Sequence, residues 1–592
     1  MKYSQIVEVY EALSKTNGKI EKAQILSKFF IILNESKNYD WIYLLKGKVA
    51  PDYDSKEFGI SRKLVLKIIS KSFGISLEEV NNKFRKKGDL GEVAEEYSSK
   101  KKQNSLFQKR LDVEKVFTNL KKLMEIDGKG VIDKKINILA ELLGNANENE
   151  SKYIIRTLLN DLRVGVADGI IRDAIVEAFY QGKDKEEFKE KVQSLYDMSN
   201  DFSLVLKKAS DGFIGDEDFE IVPGKPFNVM LSVKAENLDD AFRICGKPAA
   251  FEYKYDGFRV VISKDKEDIK LFTRRLENVT KQFPDLIEYI KKNIKGESFI
   301  LDSEVVGFDP KTEKYMPFQY ISQRIKRKYD IEKLISQLPV EINIFDIIYY
   351  NGKSLLKEPF IERRKILEKI IKPEKKKIVL SRQIITESKS EAEAFYKEAL
   401  KVGEEGLMIK NLNAPYKPGR RVGYLAKLKP NVKDLDLVIT GAEYGTGKRG
   451  GWLSSYIVSC KNGEEFLEIG KVSSGLKEKE EEGTTYEEIT KLLKPLIIEV
   501  KDNYVKIKPK IILSVTYQNI QSSPAYNSGY ALRFPRITAY RPDRSFNDIA
   551  TLKDIEKELR KSKVWCAETG THTLDAWEIF YGFLCTENYN CK

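Results

Sequence analysis

A chain of 592 residues is too long for one hydrophobic core and calls for three or four domains, which an apolar content of 41% is sufficient to fold. No uninterrupted apolar run approaches the roughly 18 residues that span a bilayer, and Met1-Lys-Tyr-Ser-Gln5 lacks a signal-peptide core, so a soluble cytoplasmic protein is expected. Lys and Arg outnumber Asp and Glu by 103 to 90, and the net charge of +13 favours a polyanionic partner. Cys245 and Cys460 stand alone while Cys566, Cys585 and Cys591 crowd near the end, which argues against a disulfide scaffold. The single histidine, His572, nearly excludes a histidine base or a histidine-rich zinc site in the main body. Chemistry must come from Lys, Arg, Asp, Glu and a cofactor or metal.

Residues 1–222 read as mainly helical, with apolar residues at three- and four-residue spacing in Tyr3 to Lys15, Glu114 to Glu125 and Ile136 to Leu143. A further helix over Lys152 to Gly169 places Arg156 and Arg163 seven residues apart on one face and ends in a glycine-marked turn. That face suits a phosphate backbone, or is simply solvated. Between these helices the basic segment Ser98-Ser-Lys-Lys-Lys102 leads into Gln103-Asn-Ser-Leu106-Phe107. The Leu-Phe pair either needs a partner or opens the next helix and is buried there.

Pro223-Gly-Lys-Pro226 marks a boundary, after which strands (Ser298 to Phe308, Val340 to Tyr350) mix with helix (Ile361 to Ile371) in an α+β domain over 223–430. Within it, Phe251-Glu-Tyr-Lys254-Tyr-Asp-Gly-Phe-Arg259 reads as a strand, a short turn carrying Lys254 and a return strand. A second boundary near Lys429-Pro-Asn431 precedes short strands at Leu435 to Ala442, Ser454 to Cys460, Leu467 to Val472 and Ile511 to Tyr517, compatible with a small β-barrel of OB type over 431–555. The glycine-rich Gly445 to Gly451 is not a P-loop: Ala442 stands where a glycine is needed and Arg449 where Ser or Thr is needed. It is expected as a turn between the first barrel strands. The tail, 556–592, shifts in composition from Val564 onward, which suggests a frameshifted or otherwise recent terminus; a zinc site from Cys566, His572, Cys585 and Cys591 is a minor alternative because the close paired spacing is missing.

The order and spacing of the Lys254 segment, Phe272-Thr-Arg274-Arg, Ile300-Leu-Asp-Ser-Glu304, Asn343-Ile-Phe345, Glu404-Glu405-Gly-Leu-Met-Ile-Lys410 and Leu425-Ala-Lys427-Leu-Lys429 resemble the nucleotidyltransferase motifs of ATP-dependent DNA ligases. Tyr530-Ala-Leu-Arg533-Phe-Pro-Arg536 with Arg541-Pro-Asp543-Arg544 looks like the last motif of their OB domain, and Gly88 to Glu92 with Arg156 to Gly165 looks like parts of the DNA-binding domain of the archaeal and eukaryotic replicative type. The resemblance covers roughly residues 1–555. It implies an all-α DNA-binding domain, an α+β adenylation domain and an OB-fold domain, acting on nicked duplex DNA with ATP and Mg²⁺ (Mn²⁺ as an alternative) in replication, repair and recombination.

By the same resemblance Lys254 attacks the α-phosphate of ATP and keeps AMP as a phosphoramide. A free lysine has a pKa of about 10.4, so Lys254 needs neighbouring cations or desolvation, with Arg259, Lys427, Lys429 and Mg²⁺ as candidates. Glu252 is similar to the adenine-reading residue, Phe345 to the ring stacked on the base, and Glu304 to the group binding ribose or lying beside the metal. Arg259, Arg274 and Arg421 are similar to residues contacting phosphate or ribose, and Glu405 to a metal-binding carboxylate. Lys427 and Lys429, two apart in a strand, share a face and approach the α-phosphate. Arg533, Arg536, Arg541 and Arg544 are similar to residues that orient pyrophosphate in the first step, or alternatively form a DNA-backbone patch, with active-site service favoured for Arg541 and Asp543. Gln103, Leu106 and Phe107 resemble the shortened sliding-clamp-binding motif of archaeal ligases. A capping guanylyltransferase or RNA ligase shares the lysine motif but would not need the large helical region, and an NAD-dependent bacterial ligase would carry a four-cysteine zinc module. NAD or ADP as adenylyl donor stays open, a monomer associated with the nucleoid is expected, and a catalytically dead scaffold would show a damaged motif where none is damaged.

Overall fold

The computed structural model describes residues 1–592 except 55, 101–110, 129, 183, 213–220, 317, 327–330, 431–433, 446–448, 450, 479–482, 502 and 568–592. Gln103, Leu106, Phe107, most of the Gly445 to Gly451 turn, and His572, Cys585 and Cys591 therefore lie outside the described residues, or largely so. The chain divides into two compact units, Met1–Tyr396 with Glu404–Leu428, and Lys397–Gly403 with Lys429–Lys592. Among the described residues no helix is long and apolar enough to cross a membrane.

The first unit opens with helices α1 (Tyr3–Lys15), α2 (Lys19–Ser36), α3 (Arg62–Phe73), α4 (Leu77–Lys87), α5 (Leu90–Ser99), α6 (Val113–Glu125), α7 (Val131–Asn145), α8 (Glu148–Leu158), α9 (Asp168–Phe179), α10 (Lys185–Ser199) and α11 (Phe202–Ser210). Spacing sets their buried faces: in α6, Val113, Val116, Phe117, Leu120 and Leu123 all point into one core. Side-chain caps set their starts, as where Ser76 accepts from the Glu79 N–H and Asn147 pairs reciprocally with Glu150. The helix expected over Lys152 to Gly169 is broken. α8 stops at Leu158, and Asn160, Arg163 and Gly165 take left-handed φ values of 53°, 59° and 63°. The carbonyls of Val164 and Gly165, which a continued helix would use internally, instead accept from buried Lys22 Nζ at 2.6 and 3.1 Å.

The rest of this unit holds two sheets. Their strands are β1 (Leu231–Ala235), β2 (Ala249–Lys254), β3 (Phe258–Asp265), β4 (Asp268–Thr273), β5 (Ser298–Phe308), β6 (Tyr315–Met316), β7 (Val340–Tyr350), β8 (Lys353–Ser354), β9 (Ile378–Leu380), β10 (Gln383–Thr386), β11 (Gly406–Asn411) and β12 (Arg421–Leu428). The first sheet runs β1-β12-β11-β2-β10; the second runs β4-β3-β5-β7-β8, with β6 on β5 and β9 on β7. The expected strand-turn-return around Lys254 is not a hairpin. β2 pairs with β10 and β11 while β3 pairs with β4 and β5, so the chain crosses from one sheet to the other just after Lys254. A shared core of Val261, Phe272, Ile300 and Ile348 from the second sheet and Val422 and Leu425 from β12 packs the two sheets face to face. Behind the second sheet, Leu286 and Ile290 of helix α12 (Pro284–Asn293) and Leu367 and Ile370 of α13 (Phe360–Ile370) seal its other face.

The second unit is rich in strands: β13 (Leu435–Tyr444), β14 (Leu453–Asn462), β15 (Glu465–Val472), β16 (Ile497–Lys501), β17 (Tyr504–Ile507), β18 (Ile512–Thr516), β19 (Ile520–Ser522), β20 (Tyr530–Leu532) and β21 (Arg536–Tyr540). β13 pairs with β18 through Leu435 to Val438 and with β17 through Gly441 to Glu443, which splits the sheet into two arms. The hydrogen-bonded path β15-β14-β13-β17-β16, with β18 and β21 as its branch, is open where a closed barrel was expected. Leu437, Ile439, Val458, Ile469, Val505 and Leu513 form its core together with Ile489 and Ile555. A terminal helix, α14 (Leu552–Ala567), contains the expected Asp554 to Lys563 segment.

Candidate active site

Lys254 is the last residue of β2, and its position follows from the crossing that it begins. β2 is buried from Ala249 to Tyr253 between β10 and β11, after which Tyr255-Asp256-Gly257 carries the chain across to β5. A Cβ at Gly257 would lie 2.3 Å from the Val305 carbonyl oxygen and 3.1 Å from Glu304 Cγ. Glycine is required there by crowding and fixes Lys254 close to the β5 carboxylates. The β2–β11 register then pairs Lys254 with Gly406, next to Glu405, whose N–H donates to the Lys254 carbonyl at 2.9 Å. The Glu405 carboxylate forms an ion pair with the Lys254 ammonium.

Pairing puts Lys254 on one face with Glu252, Lys410 and Lys427. Glu252 lies opposite Met408, which lies opposite Lys427, and paired residues share a face of the sheet. Leu425, two residues before Lys427, packs in the core between the sheets, so this face looks toward the second sheet. On the second sheet Arg259 lies opposite Glu304 and Val261 opposite Asp302, and Val261 is in that same core. The two carboxylates and Arg259 therefore look back toward Lys254.

The acidic side of the site is undercompensated. Burial pushes the Glu304 carboxyl up to about 8, with Lys254 and Arg259 opposing the rise and Asp302 and Glu405 adding to it. Burial also pushes Glu404 up to about 8, against a hydrogen bond from the Asp256 N–H and with the charges of Asp256, Glu304 and Glu405 adding. One Glu404 carboxyl oxygen is buried without a hydrogen-bond partner. Among the described residues no group of three or more His, Cys, Asp and Glu side chains is arranged to hold a metal by itself.

The expected cations are distributed differently from the sequence reading. Arg259 is committed to a buried pair: its Nε donates to Asp302 Oδ1 at 2.8 Å and its Nη1 to the Met230 carbonyl at 2.8 Å, and Tyr416 donates to Asp302 Oδ2 at 2.7 Å. Arg274 is exposed just beyond β4, at an edge of the second sheet, and Arg421 is exposed at the end of β12 away from Lys427. Lys427 is half-buried on the site's face, and Lys429 follows the strand, also half-buried.

Glu252 is 1% exposed and holds three neighbours: Lys410 Nζ at 2.7 Å, Gln383 Nε2 at 2.8 Å and Arg364 Nη1 at 3.9 Å. Phe345 is half-buried at a shift of register, where Asp302 faces Asp346 and Ser303 faces Ile344, so that Phe345 is the extra residue of a bulge. Its ring takes Lys410 at 4.7 Å and Arg259 at 5.5 Å. Asp302, Glu404, Lys410 and Tyr416 were assigned no role from the sequence. Only Lys410 carried a signal, since strand alternation puts it on the face of Met408; Tyr416 reaches Asp302 across 114 residues.

The helical and strand-rich regions carry separate clusters. Arg156 and Arg163 do not share a helical face, yet they converge: both reach Asp89 Oδ2, at 2.6 and 3.0 Å. Arg156 is buried in this pair, whereas the Arg163 side chain is 34% exposed. In the second unit Arg541 holds Asp543 through both carboxylate oxygens, at 2.9 and 2.7 Å, and Arg544 reaches Asp436 at 3.3 Å. Arg533 lies over the Phe534 ring at 5.2 Å, and Arg536 starts β21.

Comparison with known proteins accounts for this arrangement. Residues 229–429 match the ATP dependent DNA ligase domain, residues 2–176 the DNA ligase N terminus and residues 449–544 the ATP dependent DNA ligase C terminal region. The DNA ligase of Nanoarchaeum equitans is 45% identical over 562 residues, covering 94% of this chain and 98% of that protein. The DNA ligase of Thermococcus fumicolans is 41% identical over 560 residues, with the same coverage of 94% and 98%. A solved structure titled "Pmar-Lig_PreS3", 16% identical, shares the fold with a TM-score of 0.55 over 90% of this chain and 99% of that one. Three family domains in order along the chain, with relatives matched over nearly their whole length, establish that the chain belongs to the ATP-dependent DNA ligases.

Proposed function

We propose that this chain seals nicks in duplex DNA through a covalent Lys254–AMP intermediate. The observation that carries the reading is the position of Lys254 at the crossing between two sheets, against Glu405 and on one face with Glu252, Lys410 and Lys427. Lys254 Nζ, having lost a proton, attacks the α-phosphorus of ATP. A phosphorus–nitrogen bond forms as the bond to pyrophosphate breaks. The 5′-phosphate at the nick then displaces Lys254 from the phosphorus, and the 3′-hydroxyl displaces AMP to close the backbone. A nitrogen nucleophile suits this sequence because the intermediate must pass AMP onward.

Glu252 reads the adenine edge, Phe345 stacks on the base, and Lys427 and Lys429 meet the α-phosphate. Arg259 acts through Asp302 and the Phe345 ring, while exposed Arg274 and Arg421 are available to ribose or phosphate. Undercompensated carboxyls at Glu304 and Glu404, both pushed up to about 8, fit a site that gains a cation with its substrate. Glu405 and Glu304 would hold Mg²⁺ (or Mn²⁺), and two acids suffice because this ion keeps waters and phosphate oxygens. Bound there, it would draw charge from the phosphates. ATP is the expected donor, with NAD and ADP as alternatives.

The helical region, 1–222, would grip the duplex, with Arg163 at the backbone; the adenylation region, 223–430, would carry the lysine. The strand-rich region, 431–555, would be an OB fold whose Arg541 and Asp543 serve the first step, with Arg533 and Arg536 at pyrophosphate or DNA. Gln103, Leu106 and Phe107 would engage a sliding clamp. A monomer acting at the nucleoid fits these roles. The test is transfer of label from α-labelled ATP. Wild-type protein should gain an adduct on Lys254 that is stable to alkali and labile to acid, as a phosphoramide is, and Lys254→Ala should gain none; a labelled Lys254→Ala protein would assign the nucleophile elsewhere.

A further inference from the structure

Lys410 is buried in the first sheet, and its single ammonium joins two elements that the nucleotide-binding reading keeps separate. Nζ lies 2.7 Å from Glu252 Oε2 and donates to the Phe345 carbonyl at 3.0 Å. It also lies 4.7 Å from the centre of the Phe345 ring and 4.5 Å from that of Phe360. An ammonium has three donors and no acceptor. One goes to the group placed at the base edge, one to the backbone of the ring placed on the base face, and the remainder faces aromatic π-clouds.

Stability does not explain this arrangement, because a buried ion pair returns about what its desolvation costs. Hydrophobic residues at both 410 and 252 would fill the space without that cost, position 410 lying opposite Ala250 and Leu425. The lysine instead bridges strands of two different sheets, β11 and β7, at the bulge that turns Phe345 toward the site. Gln383 holds the other Glu252 oxygen at 2.8 Å and Arg364 stands 3.9 Å from it, so the carboxylate is fixed from both sides.

We infer that Lys410 is a positioning residue for nucleobase selection: it sets the Glu252 carboxylate and the Phe345 ring at a fixed mutual spacing, and so determines the preference for adenine. This rests on the nucleotide-binding reading given above. Adenine presents an N6 amine donor to a carboxylate, whereas hypoxanthine presents an oxygen acceptor at the same place. A carboxylate held in register rejects hypoxanthine; one that swings does so less.

The test uses the full chain and compares Lys254 labelling by α-labelled ATP and α-labelled ITP. The ratio of the two kcat/KM values, taken on one preparation, does not depend on the folded fraction. Lys410→Met should lower the ATP-over-ITP ratio by about tenfold or more, acting mainly through KM for ATP rather than through the saturated rate. A merely structural role would lower the melting temperature and leave the ratio unchanged, which would overturn the inference. Should Lys410→Met yield no folded protein, Lys410→Arg, which keeps the charge but moves the donors, is expected to lower the same ratio, and an unchanged ratio there overturns the inference equally. A wild-type protein that ATP does not label would overturn the nucleotide reading and this inference with it; a labelled wild type with an unaltered ratio in the variant overturns this inference alone.

Discussion

At Gly257 the backbone passes so close to β5 that an added methyl group would meet the Val305 carbonyl at 2.3 Å. That carbonyl is backbone held in a strand, so the crossing chain must shift, and Lys254, three residues earlier, shifts with it. A displacement of about 1 Å in a reacting group costs about a hundredfold in rate. Gly257→Ala should therefore reduce single-turnover labelling from ATP by about that factor while the protein remains folded; a rate within twofold of wild type would show that the crossing tolerates a side chain. Asp302 works at the same scale. It is fully buried and fixes Arg259. Asp302→Asn should leave Arg259 without its counter-charge and slow adenylylation, as read by the same assay, without changing the identity of the labelled residue.

At the scale of elements, the α4–α5 junction and the turn after α8 are tied together by one carboxylate. Asp89 caps α5, accepting from the Gly91 N–H at 2.7 Å, and receives Arg156 and Arg163. Burial alone would raise its pKa, but the hydrogen bonds and charge of Arg156, then the charge of Arg163, hold it below the ordinary carboxylate range. A pKa lowered by folding contributes stability that is fully present above the unfolded value and is lost as pH falls through the folded one. Asp89→Asn should thus cost about 3 kcal/mol at neutral pH, the penalty for breaking a buried pair. The gap between variant and wild type, followed by denaturant unfolding, should close as pH drops below about 3.9. A gap that persists in acid would mean that packing rather than charge holds the junction. Left-handed backbone at Asn160, Arg163 and Gly165 brings Arg163 back to Asp89, which a continuous helix could not do.

For the whole molecule, the net charge of +13 accompanies a substrate class that is a polyanion. Binding of nicked duplex by the full chain should be mainly electrostatic and directed at the backbone, because a ligase must accept any sequence at the nick. Its affinity should fall steeply with salt, by about a thousandfold between 50 and 200 mM if about six phosphates are contacted. A flat dependence in a fluorescence titration would remove the basic surface as the binding determinant. The two compact units differ in what they bring: the first holds both faces of the Lys254 site, and the second holds the Arg541–Asp543 pair on its own strand framework.

The sequence by itself determined where the elements lie and what kind of chemistry is present. Local patterning placed α1, α6, β5 and β7 to within a residue or so, since the two helices repeat apolar positions at the helical period and the two strands are β-forming segments buried almost throughout. Motif spacing picked out Lys254, Glu252, Glu304, Phe345, Glu405 and Lys427, which the fold gathers on two facing sheets or, for Glu405, just before a strand of one of them. The tertiary structure decided the rest. Lys254 ends a strand that leaves its sheet, because β2 and β3 take different partners and pairing between distant strands leaves no mark in a ten-residue window. Arg259 and Arg156 turn inward because Asp302 and Asp89 arrive from 43 and 67 residues away to neutralise them. Phe345 is aimed by a bulge that hydrophobic alternation cannot reveal, and Lys410 becomes a link between sheets only when β7 is brought beside β11. Periodicity is local and survives in sequence; ion pairing and sheet exchange depend on which distant segments meet, and only the folded chain specifies that.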